Sequence, residues 1–221
     1  MRKSSFVNYQ SSLWDESENY SGLDVKIFNN FFDPEEAEIY FDTFFQQTEW
    51  NQEILPMFGG TPVPRLTAWY GEPGKSYNYS GIHNDPIHWS NLPKLEIMRD
   101  TLNKLCSSNF NSVLLNLYRD GNDSVDWHSD NEPELGPEPV IASVSLGAER
   151  KFEFRSKYDS SLKKTFELFS GDVIIMSDET QQHWEHRIPK TAESLREKTQ
   201  PRINLTFRTI YSADDPLFDI A

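Results

Sequence analysis

Seven residues near the carboxyl end of the chain, Arg202–Arg208, alternate strictly between polar and apolar side chains. Successive side chains of a β-strand point to opposite faces, so one face of this segment is apolar. The apolar face carries Ile203, Leu205 and Phe207. The opposite face carries Arg202, Asn204, Thr206 and Arg208. Two guanidinium groups on one strand face are costly to bury without anions, and their planar forks fit carboxylates, which predicts a dicarboxylate site.

A second pattern consists of His128-Ser129-Asp130 and two later histidines, His183 and His186. An imidazole and a carboxylate two residues apart project from the same side of an extended strand. A later histidine can complete a set of three metal ligands, which leaves three coordination positions open. The alternative to metal binding is that His128 and Asp130 form an ordinary surface pair, which is the more common role of an isolated His-x-Asp. The residues alone do not choose between His183 and His186 as the third ligand.

The secondary-structure pattern predicts a mainly β protein with flanking helices. One helix begins after the N-cap Asp33, and Ala37, Tyr40, Phe41, Phe44 and Phe45 form its apolar stripe. A second helix extends from about residue 93 to residue 107, with Leu95, Met98, Leu102 and Leu105 on its buried side. The expected strands are 23–28, 112–118, 140–146, 151–155, 165–169, 172–176, 184–188 and 203–211. Many short strands separated by turns indicate a sandwich or a barrel.

Length and composition indicate one domain that can bury a real core. The chain has 221 residues, of which 37% are hydrophobic and 14% aromatic. Its single cysteine, Cys106, excludes a disulfide framework and a multi-cysteine zinc site. We expect residues 1–22 to form an acidic extension and residues 23–221 a single domain. The sequence shows neither a signal peptide nor an apolar run that could cross a bilayer, so a cytoplasmic location is expected, or a nuclear one in a eukaryote.

The net charge of −14 is unusual for a protein that binds nucleic acid. The acidic residues are unevenly distributed. Residues 1–60 hold three basic and eleven acidic residues, whereas residues 150–208 hold twelve basic and nine acidic ones. The acidity therefore lies away from the two patterns above. Without a dense basic patch, an extensive contact with a nucleic-acid duplex is not expected.

Residues 57–211 resemble the AlkB family of Fe(II)- and 2-oxoglutarate-dependent nucleic-acid dealkylases. The resemblance rests on four segments in order, Pro64–Gly71, Asn116-Leu117-Tyr118, His128–Glu132 and Pro201–Arg208. It implies a double-stranded β-helix, or jelly roll, with helices bracing one sheet. In this interpretation residues from about 57 to 90 recognise the nucleotide, and residues from about 111 to 211 form the jelly-roll core.

The same resemblance implies the ligands of the cofactors. Fe(II) is expected on His128, Asp130 and His186, since His186 matches the family's His-Arg-Ile-Pro segment. The co-substrate 2-oxoglutarate is expected on Asn116, Tyr118, Arg202, Asn204 and Arg208. Arg202, with Tyr118, would hold the carboxylate far from the metal, and Arg208 would lie nearer the metal. Dioxygen would take the remaining position on the iron, and ascorbate would support activity in vitro.

For the substrate, the resemblance implies a base flipped out of its stack. Tyr79, with Tyr77 nearby, would stack on the base opposite His128, and the alternative for Tyr79 is a packing role. Glu132 would accept a hydrogen bond from the exocyclic amine of adenine or cytosine. The remaining expected substrate contacts are Arg65 and Phe58.

The implied activity is oxidative demethylation of 1-methyladenine and 3-methylcytosine in DNA, and in RNA, with release of formaldehyde, succinate and carbon dioxide. Different segments of the sequence give opposite indications about whether the substrate is single-stranded or a duplex. Residues 65–71 and 111–112 resemble family members that act on single strands, whereas residues 57–60 resemble a duplex-acting hairpin with Phe58 at its tip. We expect a monomer that prefers single strands. Two alternatives stay open, a related oxygenase acting on RNA or protein and a catalytically silent nucleic-acid-binding scaffold.

Overall fold

A computed structural model describes residues 9–10, 20–55, 60–75, 77–79 and 82–211. For residues 9, 10, 55, 77–79 and 82–84 it gives the strand placement and not the side chains.

The first sheet has eight strands, which pair antiparallel except at one edge. In chain order its strands are β1 (Tyr9–Gln10), β2 (Asp24–Phe28), β5 (Leu66–Gly71), β8 (Ile87–His88), β9 (Ser112–Tyr118), β11 (Ile141–Gly147), β14 (Val173–Ser177) and β16 (Arg202–Arg208). Their spatial order is β1-β2-β14-β11-β16-β9-β5-β8. Strand β16 therefore lies near the middle, between β11 and β9, where both of its faces are covered.

The second sheet has four antiparallel strands in the spatial order β10-β15-β12-β13. They are β10 (Val125–His128), β12 (Arg150–Ser156), β13 (Lys163–Leu168) and β15 (Trp184–Ile188). Two hairpins lie outside both sheets, β3 (Ile54–Leu55) with β4 (Thr61–Pro62) and β6 (Tyr77–Tyr79) with β7 (Ile82–Asn84). The two sheets face each other, because side chains of both line one cavity.

In the described part of the chain, three α-helices accompany the sheets: α1 (Pro34–Gln47), α2 (Pro93–Cys106) and the short α3 (Thr180–His183). Helix α1 begins as predicted, since Oδ1 of Asp33 accepts a hydrogen bond from the backbone N–H of Glu36 at 2.9 Å. Helix α2 ends one residue earlier than expected, because Ser107 takes a left-handed conformation with φ of 51°. Short 3-10 turns cover Trp89–Asn91, Pro133–Leu135 and Glu193–Lys198.

The main core lies between the two long helices and the outer face of the large sheet. Ile203, Leu205 and Phe207 of β16 pack there with Phe44 of α1 and Met98 of α2. The apolar face predicted for β16 is thus confirmed. The stripe predicted for α1 is wrong at its end, because Phe45 is 41% exposed and stacks on Phe41 instead of entering the core.

Most predicted strands are confirmed within two residues, and two differences have clear causes. Strand β16 ends at Arg208 and not at residue 211, because the amide side chain of Asn111 binds both the N–H and the carbonyl of Ile210. These hydrogen bonds replace the pairing that a longer strand would need. Strand β5 was not predicted, because it is almost completely buried and therefore shows no alternation of polar and apolar residues.

Two mainly antiparallel sheets that enclose a cavity, with helices on one face, confirm the double-stranded β-helix with flanking helices. Within the described part of the chain, no helix combines the length and the apolar character needed to cross a lipid bilayer.

Candidate metal and co-substrate site

One ligand atom from each of His128, Asp130 and His186 lies within 4.8 Å of the others. Nε2 of His128 is 4.0 Å from Oδ1 of Asp130, and Nε2 of His186 is 4.0 Å from Oδ2 of the same carboxylate. The two histidines belong to neighbouring strands, since His128 at the end of β10 pairs with His186 of β15. Strand pairing thus joins residues that lie far apart in the chain.

Asp130 does not lie on the strand that carries His128, which corrects the explanation drawn from the sequence. Strand β10 ends at His128, and its register with β15 shifts between Val125 and His128. Gln181 of α3 holds the following loop, because its Oε1 accepts a hydrogen bond from the backbone N–H of Asp130 at 2.9 Å. The carboxylate therefore reaches the cluster from a loop that a tertiary contact holds, and not through strand alternation.

Both imidazoles are in the neutral form, in which one ring nitrogen carries a free lone pair. Nδ1 of His128 lies 2.8 Å from the backbone carbonyl of Asp126, which can only accept, so Nδ1 carries the hydrogen and Nε2 does not. Burial lowers the pKa of His128 below its ordinary value. Burial, together with the neighbouring His128, lowers the pKa of His186 to about 3. Neutral histidines are the form that binds a metal ion.

The carboxylate of Asp130 is held in its charged form. Burial alone would raise its pKa, but the guanidinium of Arg208 and the two histidines outweigh burial and bring the pKa well below its ordinary value. Nη2 of Arg208 donates a 2.8 Å hydrogen bond to Oδ2 of Asp130. The arginine thus compensates the buried charge.

His183 lies apart from this cluster. It is the last residue of α3, and its Nε2 is 3.4 Å from Oε2 of Glu179. Its ring also contacts the ring of Tyr158, with 5.4 Å between centroids. The structure therefore brings His186, and not His183, to His128 and Asp130.

A cavity between the two sheets extends from the cluster along the polar face of β16. Eight of the expected site residues line it: Arg65, Asn116, Tyr118, His128, Asp130, His186, Asn204 and Arg208. Two serines of β11 orient this face. Nδ2 of Asn204 donates to Oγ of Ser143 at 2.7 Å, and Nη2 of Arg202 donates to Oγ of Ser145 at 2.8 Å.

Arg202, at the start of β16, does not line the cavity and is completely buried. Burial lowers its pKa to about 10, partly offset by Tyr118, so the guanidinium still carries its charge at neutral pH. Its Nε and Nη1 have no hydrogen-bond partner among the described residues. A buried cation with unfilled donors is costly unless an anion is bound, which fits a carboxylate ligand.

Tyr118 connects Arg202 to a second buried arginine. The guanidinium carbons of Arg150 and Arg202 each lie 5.4 Å from the centre of the Tyr118 ring. Arg150 donates to the backbone carbonyls of Asp123 and Pro189 at 2.8 and 2.6 Å. It therefore ties the loop before β10 to the end of β15 at one end of the cavity.

The expected substrate residues are placed less closely together. Arg65 is buried beside the cavity, and its Nε donates to Oδ1 of Asn116 at 2.7 Å. Glu132 is half-buried and occupies the N-cap position of the 3-10 turn at 133–135, without a side-chain capping hydrogen bond. Tyr77 and Tyr79 belong to the hairpin of β6 and β7, without described side chains. Phe58 lies outside the described residues.

Sequence reasoning missed Gln181, Arg150, Ser143 and Ser145. The two serines had a detectable signal, because they alternate with apolar residues along β11 in the same way as the polar residues of β16. Gln181 and Arg150 had no such signal in the sequence. Their roles depend on which backbone groups the fold brings to them.

The chain matches the family model described as the 2OG-Fe(II) oxygenase superfamily over residues 24–208. It is 37% identical over 201 residues to the DNA oxidative demethylase ALKBH2 of Homo sapiens, which covers 86% of this chain and 74% of that protein. The chain belongs to the AlkB family of 2OG-Fe(II) oxygenases. Members of this superfamily use Fe(II), 2-oxoglutarate and dioxygen.

Other AlkB proteins are also similar. Alpha-ketoglutarate-dependent dioxygenase alkB homolog 3 of Mus musculus is 43% identical over 197 residues, which cover 85% of this chain and 66% of that protein. The chain thus spans just under two thirds of the length of this relative. A solved structure titled "The structure of OsALKBH1" has a TM-score of 0.55 at 15% identity, covering 85% of this chain and 99% of that one. That likeness supports the fold.

The residues present fit the family's cofactors. Two neutral imidazoles and one carboxylate form the donor set that suits non-haem iron. The unfilled donors of buried Arg202 fit a carboxylate of 2-oxoglutarate. The AlkB interpretation therefore agrees with both the cluster and the cavity.

Proposed function

We propose that this AlkB-family chain is an oxidative demethylase of nucleobases methylated on a ring nitrogen, such as 1-methyladenine and 3-methylcytosine. The observation that carries the proposal is that His128, Asp130 and His186 meet at a cavity lined by the polar face of β16, the strand on which the buried Arg202 has two donors without a partner among the described residues. The names of the relatives, a DNA oxidative demethylase among them, support the same reaction.

In this proposal His128, Asp130 and His186 hold Fe(II), and Asn116, Tyr118, Arg202, Asn204 and Arg208 surround 2-oxoglutarate. When bound, the two cofactors supply the oxidising power that hydroxylates the methyl carbon with dioxygen, while 2-oxoglutarate becomes succinate and carbon dioxide. The resulting hemiaminal releases formaldehyde and restores the base. The reaction reverses the damage directly, without cutting the strand.

The residues of the chain contribute binding and orientation. Arg202 receives the carboxylate far from the cluster, where its Nε and Nη1 are available. Arg208 fixes Asp130 as a charged ligand, and the Asp126 carbonyl fixes the tautomer of His128. The burial of Asp130 and His186 keeps bulk water away from these ligands.

For the substrate, we propose that the flipped base stacks between Tyr79 and His128, with Tyr77 nearby and Glu132 as acceptor for its exocyclic amine. Arg65 would contact the same substrate, because it lines both the cavity and an open groove beside the cavity. The net charge of −14 disfavours gripping two phosphate backbones, which supports single-stranded DNA, and RNA, as preferred substrates. We further propose that the protein acts as a monomer in the cytoplasm, or in the nucleus of a eukaryote.

The direct test is mass spectrometry of methylated DNA and RNA oligonucleotides after incubation with Fe(II), ascorbate and 2-oxoglutarate. The expected result is the loss of one methylene unit per lesion together with release of formaldehyde. The Asp130→Ala variant serves as control and should leave the oligonucleotides unchanged. Turnover of 2-oxoglutarate without any loss of mass from the oligonucleotides would contradict the proposal and indicate another substrate class.

Strand preference is tested by comparing the same lesion in single-stranded and duplex DNA at physiological salt. We expect faster repair of the single strand. Phe58→Ala should reduce duplex repair much more than single-strand repair, if an apolar wedge opens the duplex. A wild-type preference for the duplex would contradict this part of the proposal.

A further inference from the structure

A second buried arginine, Arg150, lies close to Arg202 at one end of the site. It is the first residue of β12, is 2% exposed and does not line the cavity between the sheets. Its guanidinium carbon and that of Arg202 each lie 5.4 Å from the centre of the Tyr118 ring. The ring of Tyr118, which does line the cavity, is therefore in contact with two buried cations.

The two positive charges are not neutralised by the protein. Among the described residues, neither guanidinium forms an ion pair with a carboxylate. Burial lowers the pKa of Arg202 to about 10, partly offset by Tyr118, and the positive charge of Arg150 contributes to the lowering. Two buried like charges repel each other, and a bound anion relieves that repulsion. This end of the site therefore favours a ligand that brings a negative charge.

The hydrogen bonds of Arg150 are directed at the backbone and not at the cavity. Its Nη2 donates to the carbonyls of Asp123 and Pro189 at 2.8 and 2.6 Å, which uses both hydrogens of that nitrogen. Its Nη1 donates to the carbonyl of Asp120 at 3.2 Å. Arg150 can therefore influence a ligand in the cavity only through the protein and through its charge.

The carbonyls that Arg150 binds belong to the two segments that carry the co-substrate residues. One segment is the turn that follows Tyr118 at the end of β9, and the other leads from the end of β15 to Arg202 at the start of β16. Gly121 of the turn also exchanges two backbone hydrogen bonds of 2.9 Å with the second segment. Arg150 thus fastens together the two pieces of chain from which Tyr118 and Arg202 project.

We propose that Arg150 is a positioning residue for the co-substrate, which holds Tyr118 and Arg202 in place for the carboxylate of 2-oxoglutarate far from the metal. Its charge adds to that of Arg202, so the same residue favours a 2-oxo acid with two carboxylates over one with a single carboxylate. The inference rests on the proposed function, because that proposal places the far carboxylate at Tyr118 and Arg202. It adds a residue that does not touch the ligand.

The test compares two ligands that differ only at the far end. 2-Oxoglutarate ends in a carboxylate, and 2-oxopentanoate has a methyl group in its place. Calorimetry with Mn(II) present gives the affinity of each ligand for the wild type, for Arg150→Lys and for Arg150→Gln. The lysine keeps a positive charge but loses the planar fork, whereas the glutamine also loses the charge.

We expect the two ligands to respond differently. Arg150→Lys should weaken the binding of 2-oxoglutarate by about fivefold, and Arg150→Gln by about tenfold or more. The affinity for 2-oxopentanoate should change by less than about twofold, because this ligand has no charge at the far end. A role of Arg150 in folding alone would change both affinities together, since the two ligands are identical at the metal end.

A double variant tests whether Arg150 acts through the aromatic ring. When Tyr118→Leu is already present, Arg150→Lys should weaken the binding of 2-oxoglutarate by less than about twofold, because the ring contact no longer exists. An undiminished effect in this background would contradict the positioning role.

Arg155→Lys is the matched control. Arg155 lies on the opposite face of the same strand, where it pairs with Glu185 at 2.6 Å. This variant should change neither affinity by more than about twofold. Urea denaturation of all variants shows whether each one is folded under the conditions of the titration.

The outcomes separate this inference from the proposed function. Equal losses for the two ligands, or wild-type affinity for 2-oxoglutarate in both Arg150 variants, would overturn the inference. The proposed function would still stand if the wild type demethylates oligonucleotides. If the preference for 2-oxoglutarate depends on Arg150 but the wild type releases no formaldehyde from methylated oligonucleotides, the demethylase proposal fails while the role of Arg150 stands.

Discussion

Arg208 donates a 2.8 Å hydrogen bond to Asp130, although 78 residues separate them in the chain. The bond connects the last residue of β16 to the loop that follows β10. It brings the arginine strand and the His-x-Asp segment, which are separate patterns in the sequence, into one site. Both residues line the cavity between the two sheets.

The first prediction concerns the three proposed metal ligands. His128→Ala, Asp130→Ala and His186→Ala should each abolish binding of Fe(II) and of Mn(II) as a stable substitute, because each removes one of three ligands. His183→Ala is the control and should keep the wild-type affinity, since His183 contacts Glu179 instead. Metal titration by calorimetry gives the affinities, and circular dichroism reports whether each variant is folded. Loss of binding in the His183 variant alone would refute the assignment.

The second prediction concerns the buried guanidinium of Arg202. Arg202→Lys should weaken 2-oxoglutarate binding by about tenfold or more, because an ammonium keeps the charge but cannot form the planar fork. Ser145→Ala removes the hydrogen bond that Nη2 of Arg202 donates to Ser145 and should have a smaller effect. The measurement is a titration of 2-oxoglutarate in the presence of metal. An unchanged half-saturation concentration in the lysine variant would mean that β16 does not bind the co-substrate.

The third prediction concerns Gln181 as a positioning residue for Asp130. Gln181→Met keeps the size of the side chain but removes the acceptor of the Asp130 N–H, which should weaken metal binding by about tenfold. The unpaired N–H should also lower the free energy of unfolding by about 1–3 kcal/mol. Gln182→Met is the matched control at the next, exposed position of α3. Comparable metal affinities for the two variants would show that Gln181 has no positioning role.

The fourth prediction concerns Asp123, which binds Arg119 in the turn before β10. Burial would raise its pKa, but the hydrogen bonds and charge of Arg119 outweigh burial, so the pKa of Asp123 is below its ordinary value. A depressed pKa stabilises the fold above the unfolded pKa, and this contribution is lost as the pH falls through the folded one. Asp123→Asn should therefore lower the free energy of unfolding by about 1–2 kcal/mol at pH 7, a value reduced because Arg119 is partly exposed.

Urea denaturation of wild type and Asp123→Asn at several pH values tests this. The difference between the two proteins should shrink steadily as the pH falls below about 4. A difference that stays constant over that range would mean that the negative charge of Asp123 does not contribute to stability.

The sequence by itself determined the features that depend on local pattern. Asp33 and Pro34 predict the start of α1, and the alternation in Arg202–Arg208 predicts both faces of β16. The type of the site could also be predicted, because the segments that carry the histidines, the carboxylate and the arginines resemble the AlkB family in order and spacing. These features require only the geometry of a helix or a strand, which is the same in every protein.

Only the tertiary structure decided how the site is assembled. Strand β10 ends at His128, which leaves Asp130 in the following loop, where Gln181 and Arg208 hold it. The burial of Phe44 and the exposure of Phe45 depend on where α1 crosses the sheet. The groove exists because 61–65 and 187–190, which are distant in the chain, face each other beside His128. Contacts of this kind depend on strand order and packing, and no periodicity in the sequence records which backbone groups the fold will bring together.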